Sequence, residues 1–272
     1  MWNIMLEMGF SRHLVRLIES LYENQEAAVR VDGEDSKWFS VGKGVRQGCI
    51  LSPYLFNIYA ENIMRNVRND EQRYISQDNQ LHDTYDSLNI GGRKYPELRY
   101  ADDTVLLSTT PEGLEKMIHA VKKHSENQNL YLNAKKTKIL RTDKTTRATN
   151  ITIDNDLIEE VIDFDYLGSL ITNNGDGLKE IRRRMGIAMK KLKTLKKLWK
   201  GTGETIKLKF LKSFIFPIAT YGSETWCLSK QAEQKINALQ TKSFRRILRV
   251  PWKKEQMCLY YNNLEKWKII GC

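Results

Sequence analysis

The first half of the chain alternates stretches of helical spacing with short β-rich stretches. Three helices are predicted there, because apolar residues recur every three or four positions after a residue that can cap a helix N-terminus. The caps are Ser11, Ser52 and Thr110, and proline follows the last two at the first helical position. The first helix is predicted to bury Leu14, Ile18 and Leu21. Residues 69–87 are polar and aperiodic, which predicts a surface loop.

Short strands are predicted between these helices. Residues 27–31 (AAVRV) and 37–41 (KWFSV) are β-rich and flank Asp-Gly-Glu-Asp, which is a hairpin signal. Residues 97–108 (ELRYADDTVLLS) also look like a strand, but Asp102 and Asp103 interrupt them, and aspartate is depleted in strands. Neighbouring strand residues point to opposite faces, so both carboxylates share a site only at a tight hairpin turn. The first half is therefore predicted to be α+β.

The pattern changes after a cluster of turn residues at 173–177, NNGDG. From there apolar residues repeat at helical spacing while lysine and arginine occupy the other faces. The apolar positions are Ile181, Met185, Ala188, Leu192, Leu195 and Trp199. Two more helices are predicted, one ending near Pro217 and one stopping before Pro251. We place a domain boundary near residue 176, between an α+β part (1–175) and an all-α basic part (176–272).

The charge of the chain is divided unevenly between these two parts. The 272 residues include 44 Lys+Arg and 33 Asp+Glu, a formal net charge of +11. Residues 178–272 carry 23 basic and 6 acidic side chains, a net charge of +17, whereas residues 1–177 carry −6. A positive field this concentrated attracts polyanions, and nucleic acid is the commonest large one. The alternative is a solvated helical surface that only keeps the protein soluble.

Several classes of protein are excluded by composition. No apolar run approaches the ~20 residues that span a bilayer, so no membrane partner is expected. The first residues, MWNIMLEMGF, lack the basic region of a secretory signal. Four scattered cysteines without a CxxC pair suit a reducing, intracellular compartment and argue against structural zinc.

Asp102 and Asp103 are the residues that point most directly to chemistry. Two carboxylates on one turn provide the hard oxygen ligands that Mg²⁺ prefers, with water or phosphate oxygens completing its octahedron. Paired metal ions can activate an attacking hydroxyl and stabilise a leaving pyrophosphate. An acidic pair in a loop is more often ordinary solvated turn chemistry.

Several motifs, taken in their order along the chain, resemble reverse transcriptases of non-LTR, LINE-type retrotransposons. They are GVRQGCILSPYLFNIYAENIM (44–64), LRYADDTVLLS (98–108), LYLNAKKTKIL (130–140), DYLGSLIT (165–172), YGSETWCL (221–228) and FRRILRVPW (244–252). The resemblance implies a partial right-hand polymerase, in which a palm with remnant fingers is followed by an all-α thumb. It implies RNA-directed DNA synthesis, with an RNA template, a DNA primer and deoxynucleoside triphosphates as partners and two Mg²⁺ as cofactors.

The resemblance also assigns roles to individual residues. Asp102 and Asp103 match the catalytic, metal-binding carboxylates. The residues that match nucleotide and template contacts are Arg46, Gln47, Gly48, Lys136 and Lys138. Those that match primer contacts are Tyr100 and Ala101 beneath the primer end, and Tyr166, Leu167 and Gly168 as the primer grip. Basic residues of the thumb would follow the nucleic-acid backbone, and we assign Arg182, Arg183, Arg184, Lys190 and Lys191 to this role.

The resemblance departs from the family pattern at the first residues. In the family, another catalytic aspartate lies just upstream of a segment like WNIMLEMGF (2–10), and here the chain begins at Met1. We therefore interpret the sequence as an N-terminally truncated fragment. The remaining two acids are expected to hold at most one Mg²⁺, weakly, and the chain alone is expected to extend primers little or not at all.

Two other functions remain open. One is a non-catalytic nucleic-acid-binding protein derived from a retrotransposon. The other is a protein-interaction module in which residues 179–200 act as a calmodulin-like target, a role that basic amphipathic helices also fill. Aromatic residues of the second half, Trp199, Phe214 and Trp226, are predicted to be core rather than base-stacking platforms.

Overall fold

The structure is a computed structural model that describes residues 1–78, 85–142, 150–195 and 201–248. The predictions for Trp199 and Pro251 lie outside these ranges. The chain forms two compact units. The first comprises the described residues within Met1–Thr137 and Ala148–Ile158, and the second those within Lys138–Arg147 and Glu159–Cys272. The predicted palm–thumb boundary near residue 176 stays a prediction.

Helices occur in both units, and three of them begin at or directly after the predicted caps Ser11, Ser52 and Thr110. The α-helices of the described residues are α1 (Trp2–Glu7), α2 (Arg12–Tyr22), α3 (Ser52–Asp78), α4 (Pro111–Glu126), α5 (Gly177–Thr194), α6 (Glu204–Phe210), α7 (Phe216–Ala219) and α8 (Lys230–Leu248). A π-helix at Leu211–Ile215 joins α6 to α7. Side-chain oxygens of Ser11, Thr110 and Asp176 accept the capping hydrogen bonds of α2, α4 and α5. None of the described helices is long and apolar enough to cross a membrane.

The strands are short and pair two by two. The antiparallel pairs are β1 (Glu26–Ala27) with β4 (Phe39–Ser40), β2 (Arg30–Val31) with β3 (Glu34–Asp35), β5 (Leu88–Ile90) with β6 (Arg93–Tyr95), β7 (Glu97–Tyr100) with β8 (Asp103–Leu106), β10 (Thr152–Ile153) with β11 (Asp156–Leu157), and β13 (Asp163–Tyr166) with β14 (Ser169–Thr172). The parallel pair is β9 (Lys138–Leu140) with β12 (Glu159–Val161). Helices and strands thus combine as an α+β class requires, and the predicted hairpin around residues 32–35 is confirmed.

The core of the first unit differs from the prediction at α2. Val15 is its buried residue and Ile18 packs against the same cluster as predicted, whereas Leu14 and Leu21 are exposed, so the predicted inner face is correct only at Ile18. Helix α3 also continues to Asp78, through much of the predicted loop at 69–87. Residues of α3 and α4 pack together in one apolar cluster. Its buried members are Ile63, Met64, Val67, Tyr85, Met117 and Val121.

The second unit has the largest apolar cluster, built by α5, the π-helix, α7 and α8. The predicted inner face of α5 is confirmed, since Ile181, Met185, Ala188 and Leu192 are all buried. Trp226 packs against this cluster, as predicted. The prediction for Phe214 was wrong: its side chain is 56% exposed and stacks on Phe210, with ring centroids 5.1 Å apart. The π-helix explains this, because its extra residue per turn shifts the apolar register.

Candidate functional site

Asp102 and Asp103 lie at the tip of the β7–β8 hairpin. Tyr100 pairs with Asp103 across the two strands, so Ala101 and Asp102 form a two-residue turn. Both carboxylates are exposed, and neither has a hydrogen bond or an ion pair to another described residue. The predicted hairpin is thereby confirmed, but its turn lies one residue earlier than predicted, because Asp103 is the first residue of β8 rather than a turn residue. The exposed carboxylates are available to a ligand.

Ala101 holds an unusual backbone conformation in this turn. Its φ is +52°, a left-handed conformation that costs an L-residue about 1–2 kcal/mol. Eight described non-glycine residues have a positive φ, and six of them are asparagine or aspartate, which tolerate it. The other two are Ala101 and Leu167, and both lie in turns that the motif resemblance assigns to the site. Backbone strain concentrates where function requires a particular geometry.

An ion-pair network fixes strand β7 to helix α3 behind this turn. Arg68 bridges Glu97 of β7, at 2.6 Å, and Glu61 of α3, at 2.5 Å. Arg99 of β7 also donates to Glu61. Burial raises the pKa of Glu97 above its usual value, against the charges of Arg68 and Arg99. Burial would also raise the pKa of Glu61, but Arg99 and Arg68 together lower it.

The predicted nucleotide-lining segment, Arg46 to Gly48, lies in a loop before α3. The Arg46 guanidinium donates to the carbonyl of Leu21 at 2.8 Å and lies 5.7 Å from the centroid of the Tyr22 ring. Gly48 has a φ of +81°, and a Cβ placed there would meet no described residue within 4 Å apart from its own chain neighbours. Glycine is thus required there for its backbone conformation, while Gln47 is exposed.

The two predicted nucleotide-contacting lysines fall in different units. Lys136 belongs to the first unit, is exposed, and its side chain has no hydrogen-bond or ion-pair partner among the described residues. Lys138 belongs to the second unit, and its ammonium group pairs with Glu159 across β9 and β12. The charge of Lys138 is therefore used by this chain, whereas Lys136 is the more available of the two.

The predicted primer grip forms the tip of the β13–β14 hairpin in the second unit. Tyr166 pairs with Ser169, so Leu167 and Gly168 form the turn, with φ values of +49° and +76°. Two successive positive values define the turn that Asn-Gly or Asp-Gly normally occupies. Leucine is a poor residue for this position, because its Cβ meets the following carbonyl. Contacts from outside the hairpin must therefore support the turn.

Those contacts come from α5 and from Tyr221. The Tyr221 hydroxyl donates to the Leu167 carbonyl at 2.8 Å. Both Arg183, at 2.7 Å, and Arg184 donate to the carbonyl of Gly168. The Arg184 guanidinium also lies over the Tyr221 ring, 4.4 Å from its centroid.

Glu180 holds these two arginines in place from inside the unit. Its side chain is 3% exposed, and it accepts hydrogen bonds from Arg183 at 2.6 Å and from Arg184 at 2.7 Å. Burial alone would raise the pKa of Glu180, but the two arginines lower it below its usual value. Binding of Arg183 and Arg184 to phosphate stays a prediction, and these contacts within the chain disfavour it.

The other basic residues assigned to α5 remain available. Arg182, Lys190 and Lys191 are exposed, and their side chains contact no hydrogen-bond or ion-pair partner in the described part of the chain. Glu180 was not predicted, although it lies three and four positions before Arg183 and Arg184, a spacing that favours ion pairs on one helix. The Glu61–Arg68–Glu97 network was not predicted either, because Glu97 lies on a different element from Glu61 and Arg68. Glu61 and Tyr221 each lie in a family-like motif, and this is the signal that the sequence carries for them.

Asp102 and Asp103 fit a single magnesium ion. Their hard oxygens are exposed at adjacent positions beside the turn and have no partner among the residues that the structure describes, which suits an ion that keeps several waters. In the described ranges, no three histidine, cysteine, aspartate or glutamate side chains gather as a metal site. Two carboxylates would leave most of the octahedron to water or to the phosphate oxygens of a substrate.

A hairpin tip with paired carboxylates, followed by a basic helical region, is typical of nucleic-acid polymerases. The family model described as reverse transcriptase (RNA-dependent DNA polymerase) matches residues 2–171. The chain belongs to this family, and the predicted resemblance to the non-LTR retrotransposon type is confirmed.

The relatives are transposon proteins. A transposon-derived protein of Caenorhabditis elegans is 27% identical over 59% of this chain and 59% of its own length. The RNA-directed DNA polymerase from the mobile element jockey of Drosophila melanogaster is 23% identical over 89% of this chain and 26% of its own length. The Pol polyprotein from the retrotransposable element R2 of Nasonia vitripennis is 28% identical over 43% of this chain and 10% of its length. The chain thus spans less than two thirds of each of these relatives.

Proposed function

We propose that this chain supplies part of an RNA-directed DNA polymerase that adds deoxynucleoside monophosphates to a primer on an RNA template. Residues 1–175 would form the palm with remnant fingers, and residues 176–272 the thumb. The observation that carries the proposal is the pair of exposed carboxylates of Asp102 and Asp103 at the strained Ala101 turn, neither of which has a partner in the described part of the chain. The family match over residues 2–171 includes this turn.

In this proposal Asp102 and Asp103 hold Mg²⁺, which would neutralise the phosphate charge that develops during nucleotidyl transfer. Tyr100 is 65% exposed beside the turn, where its ring can support the primer end. The ion pairs of Glu61, Arg68 and Glu97 keep strand β7 fixed on α3, and hence keep the turn fixed. Phosphoryl transfer depends on such positioning.

The experiment measures metal binding at the turn with and without a primer–template. Mn²⁺ is titrated while NMR line broadening is followed, first on the protein alone and then with an RNA–DNA hybrid and a deoxynucleoside triphosphate. The phosphates should supply missing ligands, so Mn²⁺ should bind Asp102 and Asp103 more tightly in the complex. Linkage requires that Mn²⁺ then tighten triphosphate binding by the same factor. An Mn²⁺ affinity that does not change when the hybrid and the triphosphate are added would contradict the proposal.

Primer extension gives a second arm. With two carboxylates at the turn, we expect trace incorporation at most, and Asp102→Asn should abolish it. Incorporation at ordinary polymerase rates would overturn the expectation of an incomplete site.

A non-catalytic nucleic-acid-binding function is the second candidate. It is favoured by Arg182, Lys190 and Lys191, which are exposed on α5 without a partner among the described residues. This candidate predicts hybrid binding that is independent of divalent metal. Burial of Ile181, Met185, Ala188 and Leu192 of α5 in the core disfavours the calmodulin-like alternative.

A further inference from the structure

The Leu167–Gly168 turn depends on residues outside its own hairpin. Four other hairpin turns of the described chain contain residues with positive φ and can be compared with it. Asp32-Gly33, Gly91-Gly92 and Asp154-Asn155 have two positive φ values and residues that tolerate them, whereas Ala101 stands alone at positive φ in its turn. Leu167 combines the strained two-residue conformation with a residue that disfavours it. Both carbonyl groups of this turn, at Leu167 and Gly168, accept hydrogen bonds from side chains of α5 or from Tyr221.

We propose that Glu180, Arg183, Arg184 and Tyr221 form a clamp that sets the conformation of the Leu167–Gly168 turn and thereby positions it against the primer strand. These four are positioning residues. The inference rests on the proposed function, in which this turn is the primer grip, and it adds the residues that control it.

Each member of the clamp has a distinct task. Glu180 is buried and aligns the two guanidinium groups through three hydrogen bonds of 2.6–3.2 Å. Arg183 and Arg184 converge on one carbonyl, that of Gly168. Tyr221 supports Arg184 with its ring and Leu167 with its hydroxyl. The turn and α5 are therefore expected to move as one body.

Space alone does not explain the arrangement. A Cβ at Gly168 would lie 3.7 Å from both Arg184 Nη2 and Tyr221 Cε1, which is ordinary van der Waals contact. Glycine is needed at this position because φ is +76°. The clamp is needed because this conformation leaves the Gly168 carbonyl to be satisfied by hydrogen bonds from outside the hairpin. If the Glu180–Arg183 and Glu180–Arg184 ion pairs served only to stabilise α5, the carbonyls of Leu167 and Gly168 would not both need to accept hydrogen bonds from outside the hairpin.

The first arm of the test is hydrogen exchange of the backbone amides of residues 166–172 in the full chain. Tyr221→Phe keeps the ring but removes the hydrogen bond to Leu167, and should speed exchange of these amides about fivefold, the effect of one ordinary hydrogen bond. The matched control is Tyr95→Phe, since the Tyr95 hydroxyl has no partner among the described residues. Exchange in Tyr221→Phe that equals the control would overturn the clamp.

A rescue distinguishes control of the turn from general destabilisation. Leu167→Gly removes the steric cost of positive φ, so in the Tyr221→Phe background it should restore most of the lost protection. Protection that falls further in the double variant would overturn the inference that the clamp acts on turn conformation.

The second arm places a photoreactive thiothymidine at the primer 3′ end of an RNA–DNA hybrid. Wild type should cross-link within residues 163–172, and Tyr221→Phe should reduce the yield several-fold while hybrid affinity changes less than about twofold. Equal yields in wild type and Tyr221→Phe would overturn the positioning role. If wild type itself binds hybrid but never cross-links there, the primer-grip assignment fails and the positioning role fails with it, whereas the exchange data still report on the clamp.

Discussion

The guanidinium of Arg184 lies over the ring of Tyr221, with Cζ 4.4 Å from the ring centroid. This contact changes the interpretation of the basic helix α5. In sequence, Arg182, Arg183 and Arg184 form one uninterrupted basic triplet. In the structure, the second and third support a hairpin turn within the chain, and Arg182 is the one left exposed and unpartnered in the described part of the protein.

The adjacent arginines should therefore differ in their contribution to stability. Arg184→Ala removes a partner of the buried Glu180 and should lower the free energy of unfolding by about 2–3 kcal/mol, somewhat less than the loss of a sole partner. Arg182→Ala should change it by less than about 0.5 kcal/mol. Urea unfolding of both variants measures the difference. Equal values would mean that the contacts of Arg184 contribute nothing to folding.

Acid should weaken the Glu180 clamp in a defined direction. The folded-state pKa of Glu180 lies below its usual value, and the unfolded value is about 4.3. The pairing thus stabilises the fold above that unfolded value, and the contribution is lost as pH falls through the folded pKa. Between about pH 5 and pH 3, Glu180→Gln should lose less stability than wild type. Parallel pH profiles of the two unfolding free energies would contradict this.

Two phenylalanines of the second unit test whether the π-helix turns Phe214 away from the core. Phe244 is 2% exposed, and Phe244→Ala should cost about 3–5 kcal/mol in unfolding free energy. Phe214 is 56% exposed, and Phe214→Ala should cost about 1 kcal/mol or less, mainly through its stacking on Phe210. Thermal unfolding of both variants checks the order. A larger loss for Phe214 would restore its predicted place in the core.

Metal binding should be centred on the β7–β8 turn. In the protein alone, Mn²⁺ should bind weakly and broaden the amide signals around Asp102 and Asp103, because two carboxylates leave most positions to water. The combined change Asp102→Asn and Asp103→Asn should remove the broadening. Asp86 is a suitable comparison, since its carboxylate already accepts a hydrogen bond from Thr110. Broadening centred at Asp86 in wild type would place the metal elsewhere.

Much of this account could be predicted from local signals. Helix caps at Ser11 and Thr110, the inner face of α5 and the turn at Asp102 follow from propensity and spacing, which act over a few residues. The π-helix was not predicted, since the sequence around Leu211 lacks any signal for an inserted residue.

Most of the contacts that support the site also could not be predicted from the sequence. Arg183 meets the Gly168 carbonyl across two different elements, which periodicity does not report, whereas its pairing with Glu180 has the i, i+3 spacing of a single helix. The positive φ of Ala101 and Leu167 opposes their residue preferences, so tertiary contacts or function must impose it. These are the places where local rules fail and where the proposed site lies.

Binding of an RNA–DNA hybrid as a function of salt tests the claim on which both candidate functions depend, that the basic helices contact nucleic acid through phosphates. If about five cations contact phosphate, the slope of log affinity against log salt should be near −4.5 by the duplex DNA relation, and a rise from about 50 to about 200 mM should weaken binding roughly a few hundredfold. Changing Arg182, Lys190 and Lys191 together to alanine should make the slope shallower by about 2.7.

The matched control changes three exposed cations of the first unit, Arg12, Arg16 and Lys116, which alters the net charge equally. We expect the slope of this control to differ from the wild-type slope by less than about 0.9, the value for one phosphate contact. Affinity that ignores salt, or a slope that the α5 variant and the control change equally, would contradict the account.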